Sequence, residues 1–504
     1  MAKPSKSSAR SSSNTTKTNN TGSSQKGGSV GSKKVCSALS ANTTTELNAN
    51  ATNSLGNVAK STHPRWTFLG TLALLVFAVL FGWYSYPQHP LYHGNITELG
   101  GGYDFFHSYC IVNALNAKIA NVYSSQELLD FSRNLSNGKN WAINDNHLLP
   151  FYVLYQPLAK RDFSSAYYIH LWANLNIYWL AAFALTLSIF PSRKQAYAIM
   201  AAIILATVTI GPAVDNIWLG QISFAFTGLL ALAFLLDRAN FQKAAGVCLA
   251  VTILLKMYPA LLLLYFGLKK RWKLLLWVLY TIIALSLVAG IQWGFAHYAN
   301  YLDFLFHTMS YNSNVANQSF IGVVANACPY LASNELKLVH LAFLLLITGG
   351  LVWFTHSLPR RFANISWGML EYSLWLVLAT VASPLSWGHH HVLLLLPWLA
   401  LLGLALGTNE SIVAPTAPTP QPERNLWSAP CCVNATVRRV AWTGMAAIVA
   451  LWCCEGETVT NPTIKGFHYA FCQHHGGLVG LLIIARLISA CLWKRPPMDS
   501  PSEP

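Results

Sequence analysis

Three polar clusters interrupt an otherwise apolar chain, and each carries residue types able to do chemistry. Asp104 stands in "GGYDFFHSYCIVNAL", which begins at Gly101. A carboxylate there can take a proton from an attacking hydroxyl. At the head of an apolar-periodic stretch it can equally be a helix N-cap with no function. His107 follows one turn on, on the same face, and Tyr103, Phe105 and Phe106 suit a helix lying in a membrane interface.

Lys256, in "KMYP", is the one basic residue deep inside the apolar stretch 244–268. It either snorkels toward an interface or offers an intramembrane charge to an anionic headgroup. "SPLSWGHHHVLLLLP", 383–397, sets His389, His390 and His391 at the mouth of an apolar run. A ring nitrogen is costly to bury in lipid without a partner, and imidazole can donate a hydrogen bond to a phosphate oxygen. Adjacent helical residues point about 100° apart, so at most two of the three can share one small cavity. His389 and His390 are the candidates, and His391 is expected to be solvated. Gln221, at the start of a span in "WLGQISFAF", can bond across helices. Gln318 belongs to the polar patch "NSNVANQSFIGVVA" on a loop that turns helical.

These residues need a scaffold, and the composition says what kind. The 504 residues are 53% hydrophobic and only 10% charged, against about 25% charge in soluble domains. That pattern is a polytopic membrane protein, all-α, with about 10–12 membrane segments. Apolar runs lie near 66–85, 166–190, 195–213, 217–236, 274–293, 337–356, 369–383, 391–407, 440–454 and 476–493. The net charge of +15 does not indicate nucleic-acid binding, because the excess sits in the N-terminal tail and at the ends of apolar runs, as membrane topology requires. Residues 1–62, rich in Ser, Thr, Asn and Lys, bury too little to offset ordering entropy and read as a disordered tail. Four regions result: the tail 1–62, a membrane domain 63–407, a linker 408–439 with "APTAPTPQP", and C-terminal helices 440–504.

Lys and Arg set the orientation. The basic tail places both termini in the cytoplasm, together with Arg193–Lys194, "KKRWK" (269–273), Arg360–Arg361 and Arg438–Arg439. This works only if 244–268 is a pair of half-helices that dip in and return, broken at Pro259. Irregular backbone at membrane depth must line a cavity or be buried in protein. The loop 86–163, the turn "GPAVDN" (211–216), the loop 294–336 and "SPLSWGHHH" then share the outer face.

Other signals are weaker. "NIT" at Asn95 and "NQS" at Asn317 are glycosylation sequons. The ten cysteines include no CxxC. Cys453, Cys454, His468, Cys472, His474 and His475 crowd together without any standard zinc spacing, and read as interfacial loop residues.

The motifs "GQISFAFTGLLALAFLL", "LLKMYPALLLLYFGLKKRWK", "NQSFIGVVA" and "SPLSWGHHHVLLLLP" occur in the order, and at roughly the spacing, seen in glycosyltransferase family 87. The chain resembles that family from about Arg65 to Gly407. The resemblance implies the C-type glycosyltransferase fold, a multi-helix membrane domain with its active site on the outer face. It implies a polyprenyl-phosphate-linked sugar donor, mannose being the family-typical sugar, and transfer to a lipid or glycan acceptor. Asp104 then matches the family's general base, Lys256 the lysine of its K-x-x-P motif, and His389 and His390 its paired histidines. Gln221 and Gln318 fall in two of the shared motifs and are expected to bind the donor phosphate or the substrate. Gly388 stands where the family commonly has an acid, and His391 where it has an apolar residue. One prominent outer carboxylate suits inversion, which needs one base and no covalent intermediate. With no DxD motif, neither a metal nor another cofactor is expected. The family's distribution implies the plasma membrane of a bacterium. The rival from another class is a secondary transporter, which also has broken helices. It should show paired interrupted halves, and "KMYP" has no counterpart.

Overall fold

The computed structural model describes residues 102–123, 125–136, 147–305, 317, 319–328, 330–357, 365–406 and 435–454. The expected spans at 66–85 and 476–493, the tail, most of the linker, Asn95, Gln318, His468, Cys472, His474 and His475 lie outside the described residues.

Among the described residues the chain is helical throughout. Five helices are long and apolar enough to cross a membrane, or six with one bent pair. The helices are α1 (Tyr103–Asn116), α2 (Gln126–Leu135), α3 (Phe151–Tyr155), α4 (Phe163–Ile189), α5 (Arg193–Thr207), α6 (Gly211–Leu219), α7 (Ser223–Arg238) and α8 (Gln242–Leu255). After a 3₁₀ turn at Tyr258–Ala260 come α9 (Leu261–Leu268), α10 (Trp272–Trp293), α11 (Ala296–Asp303), α12 (Phe320–Ala327), α13 (Ser333–Ser357) and α14 (Ile365–Ala382). A second 3₁₀ segment, Gly388–Leu394, leads into α15 (Leu395–Leu406), and α16 is Ala435–Cys454.

Burial separates the centre of the bundle from its rim. The apolar windows of α14 and of 388–406 are each 94% buried, whereas those of α10 and α13 are 22% and 17% buried. Leu279, Ile291, Leu346 and Trp353 stand out from the rim helices. A helix apolar on every side but covered on one is what a lipid-facing helix requires, since hydrocarbon is as good a partner for Leu as protein.

The stretch 244–268 turns back on itself, as expected. Asp237 at the end of α7 pairs with Arg271 just before α10 at 3.1 Å. Gly246, early in α8, lies against the start of α10: a β-carbon there would come within 2.5 Å of the Leu274 carbonyl oxygen. The starts of α8 and α10 and the end of α9 therefore share one level, and α8 and α9 form a helical hairpin with Lys256 at its tip. Pro259, which lacks an amide donor, follows the break, and Lys256 itself is extended at φ −152°, ψ 128°.

The same logic sorts the loops into two faces. On one, here the basic face, lie the 190–192, 239–241 and 269–271 turns. On the other, the site face, lie α1, the α6–α7 turn, the hairpin tip and residues 383–394. The Trp293 indole N–H donates to Asn116 at 3.1 Å, fixing the end of α10 on that second face.

Two boundaries differ from expectation. "GPAVDN" is not a turn but the first part of α6, because Pro212 in the first helical turn sacrifices no needed donor. The span expected at 195–213 is accordingly broken after Thr207, with α6 bent 57° from α5. The span expected to start at 217 starts at Ser223, because Gly220 ends α6 in the left-handed region.

Candidate active site

The site is organised around the turn between α6 and α7. Gly220 has φ +69°, and a β-carbon on it would lie 2.7 Å from the Phe105 β-carbon and 2.9 Å from the Tyr167 ring. Only glycine adopts that conformation freely and leaves room for α1 to approach. The approach is direct: the Gly102 amide donates to the Trp218 carbonyl at 2.6 Å. Gly102 is also the residue that precedes α1, with φ 75° and no side-chain cap.

Asp104 is therefore not the N-cap. It is the second residue of α1, in its first turn, where a carboxylate interacts favourably with the helix dipole. Nor do the aromatics that follow it face lipid. Phe105 and Phe106 are buried in protein, with the Phe105 ring 4.7 Å from that of His170 and 5.7 Å from that of Tyr167. His107 is buried too, edge-on to Tyr103 at 4.5 Å.

Gln221 follows Gly220, and its amide joins two charges from distant segments. Its NH₂ donates to Asp104 Oδ2, and its Oε1 accepts from Lys256 Nζ at 3.3 Å. Lys256 also donates to Ser223 Oγ at 3.5 Å. A primary amide carries a donor and an acceptor on one rigid plane, so it fits between a carboxylate and an ammonium in only one sense. Asp104, Gln221 and Lys256 are each partly exposed, so all three keep surface for a ligand. Lys256 reaches this level because α8 has 14 residues, about 21 Å of rise at 1.5 Å per residue.

The histidine run is a 3₁₀ segment, not the first turn of an α-helix, so successive side chains diverge by about 120°. All three rings are buried, at 7%, 7% and 3% exposure. This corrects the expectation of a solvated His391, which packs inside the protein because 388–394 seats between α6, α7 and α14. Asn216 Nδ2 donates to the His389 carbonyl at 3.0 Å. His390 Nδ1 accepts from the Trp387 amide at 3.3 Å, so the neutral ring carries its proton on Nε2. The Tyr258 ring lies 5.9 Å from the His390 ring, two residues beyond Lys256. Lys256 is within direct charge range of Asp104, His389 and His390.

Residues 383–387 are pinned by the "NQS" segment. Asn317 Nδ2 donates to the Pro384 carbonyl at 3.0 Å, and Asn317 Oδ1 accepts from the Ser386 amide at 2.9 Å. Ser319 Oγ donates to the same Pro384 carbonyl at 3.1 Å. Asn317 is thus fully buried and committed, and is not placed to accept a glycan.

The residues singled out from sequence converge as follows. Asp104, Gln221 and Lys256 are joined by hydrogen bonds, and the His390 ring lies 5.9 Å from that of Tyr258, two residues beyond Lys256. Gln318 lies outside the described residues, although its neighbours Asn317 and Ser319 brace the histidine segment. Asn216, Ser223, Tyr258 and Asn317 entered the site unannounced. Isolated Asn, Ser and Tyr residues near helix ends have many ordinary uses, so their types alone carried no signal. Among the described residues no three His, Cys, Asp or Glu side chains are grouped to hold a metal ion.

No curated protein matches the chain. Residues 149–384 match the family model described as glycosyltransferase family 87; Gln221, Ser223 and Lys256 fall inside the match, and Asp104 and the three histidines flank it. The chain is a polytopic membrane protein, and this match, over a little under half of its length, supports the resemblance to glycosyltransferase family 87 and a membrane glycosyltransferase.

Proposed function

We propose that this glycosyltransferase takes its sugar, mannose, from a polyprenyl-phosphate donor and passes it to a lipid or glycan hydroxyl by inverting displacement. The observation that carries the reading is the Gln221 amide joining Asp104 to Lys256. A base and a cation held a side chain apart, at the tip of a half-helix, suit a reaction in which a proton leaves one atom while charge grows on another.

The acceptor oxygen attacks the anomeric carbon and forms the new glycosidic bond. The bond from that carbon to the phosphate oxygen breaks, and the lipid phosphate departs with the electron pair. Asp104 accepts the acceptor's proton, as a general base. Lys256 and the Nε2–H of His390 offset the charge growing on the phosphate, with His389 beside them. The donor's polyprenyl chain stays in the bilayer, which keeps its phosphate near the headgroup plane. The site face is the outer face of a bacterial plasma membrane, and the basic face is cytoplasmic, since Arg193, Lys194, Lys269, Lys270 and Arg271 gather there.

The test uses sealed membrane vesicles of known sidedness and a set of labelled polyprenyl-phosphate sugars. Labelled mannose should move from its lipid phosphate to product in right-side-out vesicles supplied with external acceptor. Transfer from nucleotide sugars alone would overturn the donor, transfer of another sugar would overturn mannose, and transfer confined to inverted vesicles would overturn the orientation.

A further inference from the structure

Beside the polar site, beneath the α6–α7 turn, sits a histidine that nothing above uses. His170, in the second turn of α4, is 5% exposed. Its Nε2 lies 2.9 Å from the Gly220 carbonyl oxygen. A carbonyl only accepts, so Nε2 carries the proton, and Nδ1 is left to accept from the Tyr155 hydroxyl at 3.3 Å. Asn174, one turn on, donates to the His170 carbonyl at 2.8 Å and accepts from the Ala225 amide at 3.3 Å. The ring face covers Phe105 at 4.7 Å.

These contacts have a common direction. Gly220 immediately precedes Gln221, and Phe105 immediately follows Asp104. Ala225 is two residues beyond Ser223, the second acceptor of Lys256. One imidazole and its Asn partner therefore hold the immediate neighbours of Gln221 and Asp104 and the backbone two residues beyond Ser223.

We propose that His170 is a positioning residue: its Nε2–H holds the Gly220–Gln221 turn and its ring seats Phe105, so that the Gln221 amide meets Asp104 on one side and Lys256 on the other. The kinetic part of this inference rests on the transferase reading, and the structural part does not. A misplacement of about 1 Å at a reacting group costs roughly 10²-fold in rate, which sets the scale to expect.

Two variants separate the two contacts. His170→Phe keeps a ring against Phe105 and removes the donor. His170→Gln supplies an amide N–H at similar reach and removes the ring. In the full-length enzyme, His170→Phe should lower kcat about 10- to 100-fold with the KM for the lipid-linked donor changed less than about threefold, and His170→Gln should recover most of the loss. In a Gln221→Ala background the same His170→Phe change should cost less than about threefold, because the group it positions is gone. Full additivity in that background, or wild-type kcat in His170→Phe, overturns the proposal.

The second readout needs no turnover. In a full-length chain freed of native cysteines, Asp104→Cys and Gln221→Cys are joined by a short bifunctional thiol reagent. His170→Phe should slow that cross-link at least about tenfold while the thermal midpoint stays within a few degrees. An unchanged cross-linking rate overturns the positioning role even if no sugar transfer is found, whereas a slowed cross-link together with a wild-type chain that transfers no sugar would sink only the transferase reading.

Discussion

At the basic face Asp237 meets Arg271 at 3.1 Å and Glu371 meets Lys269 at 2.7 Å, whereas at the site face Asp104 and Lys256 meet through the amide of Gln221. The first arrangement neutralises each charge with its opposite and leaves little for a ligand. It serves construction: Lys269 and Arg271 close the α8–α9 hairpin against α14 and α7, so the depth of Lys256 is set from the far end of the bundle. The second arrangement orients two charges while each keeps open surface. An amide is neutral, so neither the carboxylate nor the ammonium is cancelled by it. A partly buried charge kept this available is expensive to maintain unless it is used. The same residue classes are thus spent on rigidity at one face and held ready at the other.

The sharpest way to break this contrast is Asp104→Asn. Asn keeps the size and can still accept from Gln221, so the fold and the relay survive while basicity is lost. The rate should fall roughly 10²–10⁴-fold, with unchanged expression and thermal midpoint. Because Asp104 is not a helix cap, no large stability loss is available to explain such a fall. Turnover near the wild-type level would remove the base from the site face.

Lys256→Gln is expected to act less strongly. It keeps a hydrogen-bond donor toward Gln221 and Ser223 and loses only the cation, which should cost about 10²-fold in kcat, on the scale of removing one charge-stabilising donor. The effect should be larger on kcat than on the donor KM, since the charge it offsets grows on the way to the transition state. A change confined to KM would make Lys256 a headgroup anchor and nothing more.

The smallest effect on chemistry belongs to the basic face. Glu371→Gln leaves Lys269 without its counter-charge and should destabilise the bundle by about 1.5–3 kcal/mol, read as a lower midpoint in detergent. The kcat of the molecules that remain folded should stay within about threefold of wild type. A tenfold loss of kcat without a shift in midpoint would show that this pair also takes part in the reaction, and the two faces would no longer differ in kind.

Much of the architecture was legible in the residues. Long apolar runs bounded by Lys and Arg define helices whatever their packing, because a helix is the way a single segment satisfies its backbone in lipid. The hairpin at 244–268 was legible too, since a proline within an apolar stretch and a cationic loop after it leave few consistent topologies. The reading failed where local chemistry depends on backbone that sequence does not show. Asp104 after a Gly run looks like an N-cap, but Gly102 already occupies that place. "GPAVDN" looks like a turn, but proline is equally at home in a first helical turn. His391 looks like a wet helix end until 388–394 is seen to seat between three helices.

By itself, then, the sequence determined an all-α membrane protein, a re-entrant hairpin with a lysine at its tip, and a set of residue types able to serve as base, cation and hydrogen-bond donor. Those follow from hydropathy, proline geometry and ionisable groups, which are properties of short segments. The tertiary structure alone decided that a glutamine 117 residues from Asp104 and 35 from Lys256 would stand between them, and that Asn317 would spend its side chain bracing Pro384. Such pairings depend on which helices pack together and at what height. Those in turn are set by close approaches such as Gly220 against Phe105 and by ion pairs at the opposite face, and no local pattern encodes a contact made across the bundle.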